Sequence, residues 1–387
     1  MARRRVLLVM ECTIGGTRLH LNQLALGLPR DRFEVAVVAS AERDPTFRED
    51  LARMRAAGVN AIELPMVRAV EAGRDLEHQK RLREIVRDGA YDLVHSHSSK
   101  AGALARMASI RERVGKRVHT PHTFAFAFAG GFSAPKRAVF YGVELSLGRA
   151  THRLICVSRS EGEQAAKLRV VPADRIRVVE NGIDPAPFLA APSRREARAA
   201  LGLEAGARLV AIVALVNPAK GQLEAVEALA LVPEAKRPTL LLVGGVSDPE
   251  TSAQLDAAIA ARGVAGSVRR LGHRSDVAAW LAASDLVLVP SRWEGMPYAL
   301  LEAMASSRAV LATATNGSKD AVVDGATGRL VDVGDAAAMA RALEEMLADG
   351  ARLEAMGAAG RARVLERFTV ASMLERTAAV YEEALAS

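Results

Sequence analysis

Aromatic side chains make up only 4% of this 387-residue chain, with 2 Trp and 4 Tyr. So few stacking surfaces, with no recognition motif beside them, argue against a nucleic-acid partner. Cysteine is scarcer still. Cys12 and Cys156 stand far apart beside strand-like runs and have no metal-ligand spacing. They read as reduced core thiols of a cytoplasmic protein rather than as a disulfide framework. No apolar run reaches the length of a membrane span, and Val6–Met10 is too short for a signal peptide, so it reads as a first strand. An Asp-x-Asp pair suited to Mg²⁺ or Mn²⁺ is missing, so no metal is expected, and no cofactor. The absence of a Walker loop and of Gly-x-Ser-x-Gly excludes P-loop enzymes and nucleophile-elbow hydrolases.

What is present fits two globular domains: half of the residues are apolar and a quarter charged. The charge is divided unevenly, +10 over residues 1–190 and −3 over residues 191–387. The basic half suits an anionic partner, such as an anionic membrane or a lipid diphosphate; alternatively, its arginines simply clothe solvated helix faces. Apolar runs alternate with amphipathic helical stretches, which predicts an α/β architecture with parallel sheets. Strands are expected at Val6–Met10, Val35–Ala39, Leu93–His95, Arg117–His119, Leu154–Val157 and Arg177–Val179. A second set falls at Leu209–Leu215, Thr239–Val243, Val268–Leu271, Leu286–Pro290, Ala309–Ala312 and Gly328–Val331. Pro185, Pro187 and Pro192, followed by a charged helix, mark residues 185–205 as a linker. Leu374, Ala378, Tyr381 and Leu385 recur at helical spacing near the end.

Residues 291–305 carry the most information: Ser-Arg-Trp-Glu-Gly-Met-Pro-Tyr-Ala-Leu-Leu-Glu-Ala-Met-Ala. A buried strand precedes them. Gly295 permits a tight turn, and Pro297 suits the first turn of a helix built from strong helix formers. Glu294 therefore lies in the loop and Glu302 in the helix. The helix N-terminus offers unpaired N–H groups to an anion, while the two carboxylates accept hydrogen bonds from vicinal hydroxyls. An anion receptor joined to hydroxyl acceptors describes a receptor for a sugar nucleotide.

This stretch resembles the Glu-x7-Glu signature of retaining glycosyltransferases of glycosyltransferase family 4. The resemblance implies an α/β protein of two Rossmann-like, doubly wound domains facing a central cleft, the GT-B fold. It implies an acceptor domain over residues 1–184 and a nucleotide-sugar donor domain over 206–368. A helix over 369–387 would pack back on the first domain. Glu294, Gly295, Met296 and Pro297 would lie near the donor sugar, and Glu302 would hold the ribose.

Further segments fall in the family's order. Gly15-Gly16 follow the first strand, where the family places a glycine-rich loop facing the donor diphosphate; a glycine pair alone is also an ordinary turn. Lys220-Gly221 end Ala-Leu-Val-Asn-Pro-Ala-Lys-Gly after the second domain's first strand. The family usually reads Gly-Arg-Leu-x-x-x-Lys-Gly there, so Leu215 stands where an arginine is expected, with Arg292 and Arg274 as candidate replacements. His122, in Val-His-Thr-Pro-His-Thr-Phe, matches a family histidine at the donor sugar; the alternative is a satisfied structural histidine. His95 and His97 read as mainly structural, expected on opposite faces of their strand and so as poor joint metal ligands. Phe124, Phe126, Phe128, Phe132 and Phe140 crowd one stretch, to touch a polyprenyl chain or bilayer, or to pack in a core.

The resemblance implies metal-independent, retaining transfer of a hexose from a UDP- or GDP-linked donor to a hydroxyl. The expected acceptor is a lipid-linked glycan of polysaccharide biosynthesis, used in the cytoplasm or at the inner face of the plasma membrane. His122 and Glu294 would be catalytic. Gly15, Gly16, Lys220, Gly221, Glu294, Gly295, Met296, Pro297 and Glu302 would bind the donor. Two alternatives stay open: a nucleotide-sugar epimerase of the same form, or a silent nucleotide-sugar-binding protein, which Leu215 favours.

Overall fold

A computed structural model describes residues 3–127 and 132–387 as two α/β units. The first comprises Met1–Asn181 together with Val370–Ser387, the second Gly182–Thr369.

The first unit holds seven strands: β1 (Arg4–Met10), β2 (Phe33–Ala39), β3 (Asn60–Glu63), β4 (Leu93–His97), β5 (Lys116–Thr120), β6 (Arg153–Cys156) and β7 (Ile176–Val178). All pair in parallel, in the order β3-β2-β1-β4-β5-β6-β7. Helices cover both faces of such a sheet, so a central strand must be apolar throughout. Val6 to Met10 in β1 are accordingly fully buried. The edge strand β3 was not expected. Its Asn-Ala-Ile-Glu has only two apolar residues, and its order comes from pairing with Ala36–Ala39 rather than from a pattern of its own.

The second unit repeats the plan with β8 (Leu209–Val213), β9 (Thr239–Val243), β10 (Val268–Gly272), β11 (Leu286–Val289), β12 (Ala309–Thr313) and β13 (Gly328–Val331), ordered β10-β9-β8-β11-β12-β13. Both sheets are doubly wound. Each therefore has a switch point, between β1 and β4 and between β8 and β11, where connections leave in opposite directions and open a crevice beyond the carboxyl ends. Residues 185–205, read as a linker, contain two short helices, Ala186–Leu189 and Arg194–Ala200. Ser193 and Glu196 cap the second reciprocally, and its buried Arg198 donates to the Ala283 carbonyl and to Asp285.

The final helix, Val370–Ala386, completes the core of the first unit. Met373, Ala378, Tyr381 and Ala384 are buried with residues of β1 and β2, while Leu374 and Leu385 pack at the margin. Gly27 makes room for this helix, because a methyl group there would stand 2.5 Å from Leu374. The Tyr381 ring meets Phe33 edge-on, and its hydroxyl lies 2.6 Å from Nδ1 of the buried His95. The other nitrogen of that imidazole lies 2.8 Å from the Thr120 hydroxyl. Tyr381→Phe would keep the packing and orphan a buried polar atom. It should cost about 1–3 kcal/mol, read as a lowered denaturation midpoint, and Tyr381→Ala should cost more.

Candidate functional site

The second unit gathers its chemistry at the β8/β11 switch point. After β8 the chain turns through Ala214–Asn217 into a single 3₁₀ turn, Pro218–Lys220. The Asn217 side chain caps that turn by accepting from the Ala219 N–H at 3.0 Å. Gly221 follows at φ +68°, and a methyl group on it would stand 1.9 Å from the Pro290 carbonyl oxygen. Only glycine lets these two backbones meet. The Arg292 N–H donates to the Ala219 carbonyl at 2.8 Å, which ties the turn to the loop after β11.

That tie brings Lys220 and Glu294 together. Lys220 Nζ stands 2.6 Å from Glu294 Oε1, and the Ser291 hydroxyl donates to the same oxygen at 2.9 Å. Gly295 and Met296 then run against Gly317, where a methyl group would lie 2.2 Å from the Gly295 oxygen. Pro297 occupies the N-cap position of the helix Tyr298–Ala305, with no side-chain cap, so the first N–H groups of that helix lack a capping side chain. Glu302, half-buried on the helix, forms no ion pair among the described residues. Desolvation pushes its carboxyl up to about 7. Neither proposed stand-in for the arginine expected at Leu215 is without a carboxylate: Arg274 pairs with Asp276, and Arg292 with Glu224.

In the first unit the residues of interest stand at the carboxyl ends of β1, β4 and β5. Gly15 and Gly16 do not form a loop ahead of the helix, as expected; they are the first turn of the helix Gly15–Gly27 itself, with Ile14 at the N-cap. Their N–H groups are thereby presented at a helix terminus. His20, four residues after Gly16, faces the same way and was not singled out in the sequence. Its ring stands 4.6 Å from that of His122 and 5.6 Å from that of His97. His97 Nδ1 lies 3.2 Å from His122 Nε2.

The expectation that His95 and His97 face opposite sides fails, since their rings are 4.0 Å apart. Residues two apart on a strand share a face, so the alternation along β4 itself brings His95 and His97 together. Burial drives the imidazoles of His95, His97 and His122 well below the usual histidine range, and brings His20 down to about 4. They are neutral at physiological pH. The coordinating nitrogens of His20, His97 and His122 lie within 4.8 Å of one another, so this trio has the donor set to hold a divalent transition metal.

His122 and Thr123 both adopt positive φ, +53° and +87°. The buried Glu161 holds them there, its carboxylate accepting from the Thr123 N–H at 2.6 Å and the Val157 N–H at 2.7 Å. Burial pushes the Glu161 carboxyl up to about 7 despite these bonds. Nothing in the sequence marked this residue, which looks like an ordinary first-turn acid of the helix Arg159–Lys167. Of the phenylalanines read either as a membrane or acceptor contact or as core, Phe124 and Phe126 are buried in a core cluster with Leu154 and Cys156. Phe132 and Phe140 are half-buried beneath Lys136. Phe128 lies outside the described residues.

Two parallel-sheet Rossmann-like units, each with a helix start beyond its switch point, define the GT-B class of glycosyltransferases. Comparison with known proteins supports this. Residues 14–187 match the family description "Glycosyltransferase Family 4" and residues 193–363 match "Glycosyl transferases group 1". A similar protein of Escherichia coli, named UDP-Gal:alpha-D-GlcNAc-diphosphoundecaprenol alpha-1,3-galactosyltransferase, is 27% identical over 96% of this chain and 95% of its own. The D-inositol 3-phosphate glycosyltransferase of Thermobispora bispora is 33% identical over 79% of this chain and 73% of its own. In fold the chain is similar to HepE of Anabaena, solved with UDP and glucose, at a TM-score of 0.83. That match covers 98% and 100% of the two chains at 22% identity. The chain belongs to glycosyltransferase family 4 and is a hexosyltransferase.

Proposed function

We propose that this enzyme transfers a hexose from a UDP- or GDP-linked donor to a hydroxyl acceptor, with retention of anomeric configuration and without a metal. The observation that carries the reading is the Lys220–Glu294 pair beside the N-terminus of the Tyr298–Ala305 helix, with an ion-pair-free Glu302 one turn further along. In this reading Lys220 meets the diphosphate charge, with Gly221 allowing the backbone to come close; on the first unit, the N–H groups of Gly15 and Gly16 are an anion receptor of their own. Glu294 and the backbone of Gly295, Met296 and Pro297 hold the sugar, and Glu302 accepts from the ribose hydroxyls. His122, neutral and half-buried, hydrogen-bonds the sugar or the leaving oxygen. The leaving diphosphate departs as a stabilised anion, so its need for a metal falls as fixed positive dipoles replace it.

The acceptor we propose is a lipid-linked glycan in polysaccharide biosynthesis, a class that the name of the Escherichia coli relative supports. No described helix is long and apolar enough to cross a membrane, and the +10 charge of residues 1–190 suits peripheral contact with an anionic inner leaflet. With Phe124 and Phe126 committed to the core, that contact rests on charge. A panel of nucleotide sugars, with and without membrane lipid extract, tests the whole reading. Turnover only in the presence of extract is expected. Sugar released or epimerised without acceptor, or no turnover with any donor, would replace transfer by epimerisation or by silent binding.

Glu302→Ala should weaken nucleoside-diphosphate binding by about 1–3 kcal/mol, as for a lost charge-assisted hydrogen bond. Because the Glu302 carboxyl titrates near 7, the ionised acceptor is lost as pH falls. Wild-type affinity should therefore drop from pH 8 to pH 6, and Glu302→Gln should flatten that dependence in calorimetry. An unchanged affinity in the folded alanine variant would remove the assignment.

Glu294→Ala and His122→Ala should lose kcat far more than nucleoside-diphosphate affinity, since the product lacks the sugar. Equal losses in steady-state kinetics and in binding would place these residues elsewhere on the ligand.

Turnover should also persist in EDTA. The histidine trio makes this a sharp test: loss of activity on chelation, restored by a divalent ion, would make the metal part of the reaction.

A further inference from the structure

At the opposite end of the first sheet, where β5 and β6 begin and just ahead of β7, lies a cavity of about 480 Å³. Lys116 opens β5, Arg153 opens β6, and Arg175 immediately precedes β7. Arg117, Arg149 and His152 complete its basic wall, and Asp174 is the one acidic side chain among the lining residues. Lys116 and Thr120 bound β5, so this wall stands roughly 13 Å from the carboxyl edge, at ~3.3 Å per residue along a strand.

The cations here are poorly compensated. Arg153 has a carboxylate partner, Glu383 at 3.2 Å, and Lys116 donates to an oxygen of Ser387, which also lines the cavity. Arg117 donates to neutral acceptors: Nε to the Ala150 carbonyl at 2.6 Å, and Nη1 to the Ser109 hydroxyl and the Gly115 carbonyl. Arg175 uses Nη1 for the Arg149 and Thr151 carbonyls, each at 3.0 Å. These bonds place the guanidiniums and leave their charges unmet. Among the described residues, Nη2 of Arg117, Nε and Nη2 of Arg175, and the whole Arg149 head group have no hydrogen-bond or ion-pair partner. The positive field is visible in His152, whose imidazole is brought down to about 4 by burial first and then by Arg117, Lys116, Arg175 and Arg153. Burial also lowers Arg117, so its charge sits in a medium that screens poorly.

We propose that this cavity is an anion-binding site for a phosphate or diphosphate group, separate from the sugar-nucleotide site. Guanidinium forks match the oxygen spacing of a phosphate and bind it in bidentate fashion. The anion would relieve the mutual repulsion of Arg117, Arg149 and Arg175, and the cavity volume admits a group larger than a single oxyanion. Soluble phosphoanions and phospholipid head groups share this chemistry. The inference stands on the first unit alone and does not depend on the transfer reaction.

The test is calorimetric titration of pyrophosphate into the full chain bearing Lys220→Ala, which removes the lysine proposed to hold the donor diphosphate. Saturable binding that weakens with added salt is expected. Arg149→Ala, whose side chain makes no hydrogen bond or ion pair among the described residues, should weaken it several-fold, and Arg149→Ala with Arg175→Ala about tenfold or more. If the double variant is misfolded by circular dichroism, the Arg149→Ala arm decides. Absence of binding in the Lys220→Ala protein, or unaltered affinity in the folded arginine variants, overturns the site. Co-sedimentation with phosphatidylcholine vesicles, with and without phosphatidic acid, separates the sources. Pelleting that requires phosphatidic acid and is lost in Arg149→Ala assigns a lipid head group. Pyrophosphate binding without such pelleting assigns a soluble anion. Turnover is not read in any arm, so failure of the transfer reading and failure of this site are told apart.

Discussion

The chemistry of the second unit depends on backbone touching backbone. Gly221 lies against the Pro290 carbonyl, Gly317 against Gly295, and Gly244 against the Ala214 carbonyl, each at a distance that leaves no room for a Cβ. Loops after four different strands are thus pressed together beyond one sheet edge. Only in that arrangement can Lys220 reach Glu294 across two connections. A Cβ at Gly221, Gly244 or Gly317 would stand 1.9, 2.0 or 2.2 Å from a backbone oxygen, so the turns would have to part to admit it. The glycines act as spacers of zero width, and the charged residues inherit their geometry from them.

The first unit solves a different problem. It keeps His20, His95 and His97 buried, with His122 half-buried beside them, at the carboxyl edge of its sheet without burying charge. Imidazole suits that place because desolvation removes its proton and leaves one donor and one acceptor, a combination that hydroxyls can satisfy. The Tyr381–His95–Thr120 chain is an example, joining the last helix, β4 and β5 through neutral groups. Elsewhere the unit does bury a charge pair. The fully buried Arg106 meets Glu144 at 2.8 Å, clamping the helices Ser99–Glu112 and Ala134–Gly148. Breaking either partner would leave an unpaired interior charge, which is far costlier than the pair itself is stabilising.

Sequence reasoning read the sheet interiors well, because a strand covered on both faces must be a continuous apolar run. It missed β3, whose residues are at the edge and carry no such run. Lys220, Gly221, Glu294 and Glu302 were legible as a motif, with spacing that survives in one dimension. His20 was legible in principle, since a residue four past Gly16 shares its helix face. Glu161, Gly244 and Gly317 were not: their importance lies in what approaches them from distant parts of the chain. The phenylalanine cluster stayed undecided for a related reason. A run of apolar residues without polar alternation looks exposed-and-sticky or buried alike, and only the third dimension assigned Phe124 and Phe126 to a core.

The helix Val370–Ala386 has a consequence for the order of events at the ribosome. Its residues Met373, Ala378 and Tyr381 are core members of a unit whose other strands end by Val178. The 188 residues of Gly182–Thr369 must therefore be synthesised before the first unit can close. At typical translation rates that is an interval of roughly 10–40 s. The second unit, contiguous in sequence, has all of its residues once Thr369 is made, while the earlier-made sheet still waits with the Phe33 face and the Gly27 notch open. The later half of the chain thus has its full complement of residues before the earlier half does.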